Sequence, residues 1–147
     1  MRSPRQDSDP ATGTAQRFDV VIVGAGISGI CSATLLRKHC PQWSFLIVDA
    51  MEAPGGTWLI HKYPGARSDS DLFTFGYDFK PWKGKPIASR EEILYSLAST
   101  IEDDQLGPHI LYQHRVQSAS WSSPSSTWTH WTMRPTARDA GRGCAAQ

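Results

Sequence analysis

Apolar residues near the start of the chain follow two different periods. The run FDVVIVGAG, residues 18–26, is continuous and rich in β-branched side chains, which is typical of a buried parallel strand. In residues 27–40 the apolar positions have the spacing of a helix, and Pro41 ends that segment. These helix positions are Ile27, Ile30, Cys31, Thr34 and Leu35. A second apolar run, WSFLIVDA at residues 43–50, predicts another buried strand, so the whole pattern predicts a right-handed βαβ unit.

Helical periodicity returns at residues 89–106. Ser89 and Glu92, three residues apart, match the capping box that begins many helices, and Gly107 with Pro108 ends the segment. The apolar stripe expected to face the core is Ile93, Leu94, Leu97 and Ile101. The segment therefore predicts a second amphipathic helix.

Alternation of apolar and polar residues later in the chain predicts a β-hairpin. HILYQHRVQSASW at residues 109–121 and TWTHWTM at residues 127–133 are typical of strands, and SSPSS between them is typical of a turn. Three tryptophans are expected to pack within this hairpin, namely Trp121, Trp128 and Trp131. Together with the βαβ unit, the hairpin predicts an α/β fold.

Composition and charge restrict the class of protein. A length of 147 residues suits one domain, and 39% hydrophobic with 20% charged residues suits a globular fold. The formal net charge of +1 predicts no general attraction to nucleic acid or to an anionic membrane. No apolar run approaches the roughly 18 residues that cross a bilayer. We expect residues 1–17 to be a disordered leader, residues 18–133 to be the domain, and residues 134–147 to be an irregular tail.

The cysteines predict neither a disulfide framework nor a zinc site. Cys31, Cys40 and Cys144 are odd in number, and no two of them form a CxxC pair. Cys31 lies on the apolar face of the first predicted helix and is expected to be packed in the core. This usage predicts a reducing compartment, so we expect a cytoplasmic protein with no metal site.

The sequence GAGISG joins the first predicted strand to the first predicted helix and matches the GxGxxG pattern of dinucleotide-binding turns. Gly24 permits the tight turn, Gly26 lets the backbone approach a diphosphate, and Gly29 lets the helix pack close to the strand. Ile27 and Ser28 begin the helix, where free N–H groups and the positive end of the helix dipole attract phosphate. The alternative is a glycine turn that only joins a strand to a helix.

Asp49 ends the second predicted strand, 25 residues after Gly24. An acid at this position is expected to accept hydrogen bonds from ribose hydroxyls. Its charge would repel a 2′-phosphate, so the site favours FAD or NAD over NADP. Glu52 is close enough in sequence to be the alternative ribose ligand.

The glycine-rich loop after the second strand carries a more specific signal. GGTW at residues 55–58, YPGAR at residues 63–67 and the aspartate that follows resemble the class B flavin monooxygenases. This family includes the Baeyer–Villiger monooxygenases and the flavin-containing monooxygenases. FGYDF at residues 75–79 and HRVQSASW at residues 114–121 fit the same family.

The resemblance implies a Rossmann-like FAD-binding domain of the doubly wound type, with a separate NADPH domain inserted in it. Members of the family use NADPH to reduce FAD, and molecular oxygen to oxygenate a small ketone or a soft heteroatom. The expected cofactor is therefore FAD, with NADPH as co-substrate. The substrate itself is not specified by the resemblance.

The resemblance also implies which residues lie along the FAD. They are Gly55, Gly56, Thr57, Trp58, Arg67, Ser68, Asp69, Phe75 and Val116. Asp69 is expected to be catalytic, because it would orient an arginine that stabilises the oxygenated flavin. Phe75 stands where many Baeyer–Villiger enzymes have a tyrosine, which removes one hydroxyl near the FAD. The backbone of Val116 is expected to meet the adenine end.

Structural roles are the alternatives for several of these residues. Trp58 and Tyr63 could be the apolar core of the loop. Asp69 could cap a helix that begins at Ser70 or Asp71, which would not exclude a role near the flavin. The imidazoles of His61 and His114 are expected to be structural rather than catalytic.

A monooxygenase of this family needs more chain than these residues supply. No second GxGxxG sequence is present for NADPH, and no FxGxxxH sequence is present. We therefore expect the FAD domain to be incomplete relative to the family and not competent alone. The alternatives are a non-catalytic dinucleotide-binding fragment or a non-functional remnant, and an NAD-dependent dehydrogenase explains the loop less well.

Overall fold

The computed structural model describes residues 16–133 and begins with the predicted βαβ unit. Strand β1 is Val20–Val23, helix α1 is Ile27–His39 and strand β2 is Phe45–Val48. The two strands are parallel, with Val20 opposite Phe45 and Val23 opposite Val48. The predicted α/β class is confirmed.

The rest of the described chain consists of short helices, one long helix and three strands. In chain order they are α2 (Thr57–Ile60), α3 (Leu72–Phe75), α4 (Arg90–Asp103), a 3₁₀ turn (Gly107–His109), β3 (Ile110–Leu111), β4 (Arg115–Ser122) and β5 (Thr127–Met133). Strand β3 pairs in parallel with β2, which gives the sheet order β1-β2-β3, while β4 and β5 form a separate antiparallel hairpin.

The core lies where α1 and α4 pack against the parallel sheet. Ile30 of α1, Ile47 of β2 and Leu97 of α4 are all fully buried within it. The hydroxyl of Thr34 donates to the carboxylate of Asp104 at 2.6 Å, which ties α1 to the end of α4. Because Thr34 is itself buried, this hydrogen bond satisfies a polar group inside the core.

Helix α4 begins with the predicted capping box. The Ser89 hydroxyl accepts from the Glu92 amide, and the Glu92 carboxylate accepts from the Ser89 amide at 2.8 Å. The predicted apolar stripe faces inward, with Ile93 and Leu97 buried and Leu94 and Ile101 half-buried. Glycine at position 107 follows the helix, as expected.

The prediction of a single strand over residues 109–121 is wrong. These residues form two strands, β3 and β4, which belong to different sheets. Strand β3 ends at Leu111, and Gln113 takes a positive φ of 59° that turns the backbone out of the sheet. The amides of Gln113 and His114 then donate to the carbonyls of Met51 and Asp49. At this point the backbone amides therefore bond to the segment that follows β2, and the parallel pairing with β2 ends.

The hairpin is formed as predicted, and Trp121 lies directly opposite Trp128 with ring centroids 5.5 Å apart. The side chain of Trp131 lies outside the described part of the structure, as does Cys144. The predicted leader, except for Gln16 and Arg17, and the predicted tail also lie outside the described residues. Among residues 16–133, no helix has the length and apolarity that a bilayer crossing requires.

Candidate dinucleotide site

The GAGISG turn lies at the carboxyl end of β1 and needs glycine at two positions. Gly24 has a φ of +100°, a conformation that side chains rarely adopt, and its amide donates to the Val48 carbonyl of β2 at 2.8 Å. At Gly29 an added Cβ would lie 1.9 Å from the Gly24 carbonyl oxygen. Helix α1 therefore packs directly on the turn, as the spacing predicts.

The first turn of α1 presents backbone donors that no other group in the described chain accepts. Gly26 is the N-cap residue and supplies no side chain to cap the helix. The first amide with a helical partner is that of Ile30, which donates to the Gly26 carbonyl at 3.0 Å. The N–H groups of Ile27, Ser28 and Gly29 are therefore available to an anion.

Asp49 points at this turn from the end of β2. It is only 6% exposed, and its two oxygens accept from the amides of Ala25 at 2.5 Å and Met51 at 2.7 Å. The carboxylate also contributes to raising the pKa of Tyr112, although burial of that phenol is the larger cause. Glu52, the alternative ribose ligand, is exposed and has no contact with the turn among the described hydrogen bonds.

The second glycine motif, at residues 55–58, is in contact with the first. The Gly55 amide donates to the Ala25 carbonyl at 3.0 Å. A Cβ added to Gly56, whose φ is +52°, would lie 3.2 Å from the Gly26 Cα. The structure therefore brings GAGISG and GGTW together into one continuous glycine surface, although about 30 residues separate them in sequence.

The residues after Gly56 form one helical turn, α2, where the sequence predicts an irregular loop. Thr57 is exposed at the first position of this turn, and Trp58 is half-buried against the core. The alternative that Trp58 belongs to the apolar core of the loop is therefore correct. This packing does not exclude a contact between the exposed edge of Trp58 and a cofactor. The same alternative is wrong for Tyr63, which is 62% exposed.

The segment Arg67–Asp69 is held against the start of α4. The Ser68 amide donates to the Ala88 carbonyl at 2.8 Å, and the Arg90 amide donates to the Ala66 carbonyl at 3.0 Å. Arg67 and Asp69 are exposed, whereas Ser68 is buried with its hydroxyl donating to the Ser70 carbonyl. A cleft of about 580 Å³ lies over this segment. Its lining consists of Tyr63, Gly65, Arg67, Ser68, Asp69 and Ile87.

The helix-capping alternative for Asp69 is wrong. The residue that caps α3 is Asp71, whose carboxylate accepts from the Phe73 amide at 2.9 Å and from the Thr74 hydroxyl at 2.8 Å. These bonds, led by that of the Phe73 amide, lower the pKa of Asp71. Asp69 accepts only the neighbouring Ser70 hydroxyl among the described hydrogen bonds, so its carboxylate remains largely available at the cleft.

The last two predicted contacts lie on different elements. Phe75 ends α3 and is 66% exposed. Val116 is half-buried in β4, two residues after His114, whose amide donates to the Asp49 carbonyl at 2.9 Å. Val116 is thus near the same end of the sheet as Asp49, where the adenine end of a dinucleotide is expected.

Sequence reasoning missed one residue that contacts the GAGISG turn. Tyr77 is half-buried, and its hydroxyl donates to the Ile27 carbonyl at 2.6 Å, across 50 positions of sequence. Burial is the main cause that raises the pKa of this phenol. The motif FGYDF that contains it was visible in the sequence, but nothing in its local pattern indicates a partner in α1.

A second large cavity, of about 640 Å³, lies at the other end of the sheet. Its lining includes Phe18, Trp43 and Phe45, close to where β1 and β2 begin. None of the predicted cofactor residues lines it. Within residues 16–133 there is also no cluster of side chains suited to a metal ion.

The sequence comparisons agree with the position of these motifs. Residues 22–81 match the family described as NAD(P)-binding Rossmann-like domain. A probable FAD-binding monooxygenase, AlmA, of an Acinetobacter species is 49% identical over 114 residues, which are 77% of this chain and 23% of that protein. The FAD-containing monooxygenase EthA of Mycobacterium tuberculosis is 45% identical over 115 residues, which are 78% of this chain and 24% of that protein.

Solved structures with a similar fold are monooxygenases as well. A steroid monooxygenase bound to NADP has a TM-score of 0.72 and 31% identity, over 81% of this chain and 24% of its own. A cyclohexanone monooxygenase has a TM-score of 0.70 and 29% identity, over 78% of this chain and 24% of its own. The chain thus spans about a quarter of the length of the relatives it matches, and its resemblance to the flavin monooxygenases is confirmed over that part.

Proposed function

We propose, from its homology to part of the FAD-containing monooxygenases, that this chain is the FAD-binding segment of an NADPH-dependent flavin monooxygenase. The observation that carries the proposal is the joined glycine surface formed by Gly26 and Gly56 beside the free amides of α1. The reaction of the whole protein would be the oxygenation of a ketone or of a heteroatom by molecular oxygen. In this proposal residues 18–133 form the FAD-binding part.

The described residues fit FAD in their chemistry. The amides of Ile27, Ser28 and Gly29 offer donors to a diphosphate, and Gly26 has no Cβ to block its approach. Asp49 offers acceptors for ribose hydroxyls from the neighbouring strand. We therefore assign the adenosine diphosphate half of FAD to this edge of the sheet.

The flavin half would follow the second glycine motif towards the cleft. Thr57 is exposed at the amide end of α2 and can donate a hydrogen bond, and Trp58 supports that turn from the core. Arg67 and Asp69 are exposed at the cleft, where Asp69 would orient a cation beside the flavin. When FAD is bound and reduced, it supplies the electrons with which oxygen is activated.

Gly26→Ala is the sharpest test of this function. Gly26 has a φ of −83°, which alanine adopts freely, and an added Cβ would make only an ordinary contact of 3.6 Å with the Gly56 Cα. The variant should therefore fold normally while its methyl group blocks the diphosphate. We expect FAD affinity, measured by flavin fluorescence on the purified chain, to fall at least about tenfold.

Gly107→Ala is the matched control, because a Cβ there meets nothing within 4 Å and the position is outside the proposed site. It should leave both the melting temperature and FAD affinity unchanged. Equal FAD affinity of the Gly26→Ala variant and the unmodified chain would overturn the proposal. We also expect the chain alone not to oxidise NADPH, since its sequence holds one GxGxxG turn.

The runner-up function is a binding segment that retains a dinucleotide without redox chemistry. It is favoured by the match of residues 22–81 to the family described as NAD(P)-binding Rossmann-like domain. Titration with FAD and with NAD separates the two. Selective binding of FAD supports the monooxygenase segment, whereas equal or stronger binding of NAD supports the alternative.

A further inference from the structure

Tyr77 is bonded to the first residue of the phosphate-binding helix. Its phenol oxygen lies 2.6 Å from the Ile27 carbonyl oxygen, to which it donates. Its ring stacks on Phe79 with centroids 4.7 Å apart and packs against the core. No predicted site residue reaches Ile27 in this way, so the contact stands apart from the motifs already assigned.

The residues on either side of Tyr77 are bonded to helices α3 and α4. Before it, the Gly76 amide donates to the Leu72 carbonyl of α3 at 2.9 Å. After it, Lys80 pairs with Tyr77 in an isolated bridge, and its ammonium contacts Asp103 of α4 at 2.7 Å. The phenol is therefore held in place by α3 and α4, and it can fix the start of α1 relative to them.

The peptide group that Tyr77 contacts has a second polar end. The carbonyl of Ile27 and the N–H of Ser28 belong to the same peptide unit, and the Ser28 N–H is one of the free donors at the start of α1. Donation to the carbonyl of a peptide polarises the peptide and strengthens its N–H as a donor, by about 10–30%. The effect of Tyr77 is thus transmitted through one amide to the anion site.

We propose that Tyr77 is a positioning residue for the diphosphate of the cofactor. It acts by orienting and polarising the Ile27–Ser28 peptide, whose N–H would donate to the diphosphate. The inference rests on the proposed function, because it assumes that the free amides of α1 receive a diphosphate. It adds a residue that acts on the ligand through the backbone and not by contact. Burial raises the pKa of Tyr77, which keeps its hydroxyl protonated and able to donate at neutral and moderately alkaline pH.

The test is Tyr77→Phe in the 147-residue chain, with Tyr95→Phe as the matched control. Phenylalanine keeps the stacked ring and removes only the donor, while Tyr95 is 76% exposed on α4. The probes are FAD, ADP and adenosine, whose dissociation constants are measured by titration. We expect Tyr77→Phe to weaken FAD and ADP about threefold to tenfold and to leave adenosine, which has no phosphate, unchanged.

A spectroscopic measurement reports on the peptide without any ligand. In ¹⁵N-labelled protein, Tyr77→Phe should move the Ser28 nitrogen resonance upfield, and Tyr95→Phe should not. Incorporation of 4-aminophenylalanine at position 77 returns a donor to the same place and should restore both the resonance and FAD affinity. A structural role of the ring alone would not predict that rescue.

The outcomes separate this inference from the function on which it rests. If the unmodified chain binds neither FAD nor ADP, the proposed function fails, and the Ser28 resonance still decides whether Tyr77 acts on the peptide. If the unmodified chain binds FAD and Tyr77→Phe binds it equally well, the inference is wrong. Equal weakening of FAD, ADP and adenosine would also overturn it, since that result indicates a loss of general stability.

Discussion

Gly26 and Gly56 lie against each other, so that a Cβ added to Gly56 would be 3.2 Å from the Gly26 Cα. Gly26 is the N-cap residue of α1, and Gly56 precedes the helical turn α2 of the GGTW motif. Two motifs that look independent in sequence are therefore parts of one surface. A Cβ on Gly56 would press on the Gly26 backbone, whereas a Cβ on Gly26 would make only an ordinary contact of 3.6 Å with the Gly56 Cα, so this contact needs the smallest residue at Gly56.

The first prediction concerns Gly56→Ala. Its φ of +52° is strained for alanine, and the new methyl group would also press on the Gly26 backbone. We expect the free energy of unfolding in urea to fall by about 1–3 kcal/mol, and FAD affinity to fall with it.

Gly65→Ala is the control that isolates the contact from the strain. Gly65 has a similar positive φ, +79°, but an added Cβ there meets nothing within 4 Å. It should lose about 1–2 kcal/mol from backbone strain alone, and less than Gly56→Ala loses. Equal losses in the two variants would show that the Gly26–Gly56 contact has no energetic importance.

The local parts of this fold could be predicted from sequence because local rules determine them. The period of the apolar residues gives β1, α1 and β2, and the capping box gives the start of α4. Gly24 and Gly29 of GAGISG were interpretable because each answers a steric demand of the same short turn.

The other parts depend on contacts between segments far apart in the chain. The bend at Gln113 exists because amides there find acceptors on the loop after β2, which no pattern in residues 109–121 indicates. The hydrogen bond from Tyr77 to Ile27 spans 50 positions. The resemblance to a family placed Asp69 and Phe75 near a flavin, but it did not identify Asp71 as the helix cap.

The second prediction distinguishes Asp49 from Glu52. Asp49→Ala leaves the amides of Ala25 and Met51 without their acceptor, so the free energy of unfolding should fall by about 1–3 kcal/mol. FAD binding should weaken too, because the turn proposed to hold the diphosphate loses its anchor. Glu52→Ala, an exposed position, should change stability by less than about 0.5 kcal/mol and leave FAD affinity unchanged. Loss of FAD affinity in Glu52→Ala alone would reverse the assignment of the ribose ligand.

The third prediction separates the roles of Asp69 and Asp71. Asp71→Ala removes the cap of α3 and should lower the urea midpoint of unfolding. Asp69→Ala should leave that midpoint unchanged, since the carboxylate accepts only its neighbour's hydroxyl among the described bonds. It should instead alter the absorbance spectrum of bound FAD, because Asp69 is exposed at the cleft. A fall in the midpoint for Asp69→Ala with an unchanged flavin spectrum would indicate a structural residue.

The last prediction concerns the pH dependence of stability at the start of α4. The backbone amide of Ser89, followed by its hydroxyl, holds the pKa of Glu92 below its ordinary value of 4.5. A depressed pKa means that this stabilisation is fully present above about pH 4.5 and is lost as the pH falls through the lower, folded-state pKa. Glu92→Gln should therefore be less stable than the unmodified chain at about pH 7, and the difference should shrink towards zero at about pH 3. Urea unfolding of both proteins at the two pH values measures this difference in the free energy of unfolding. Asp71 also has a lowered pKa, but its contribution cancels because both proteins keep this residue. A difference that stays constant over this range would mean that the charge of Glu92 does not stabilise the capping box.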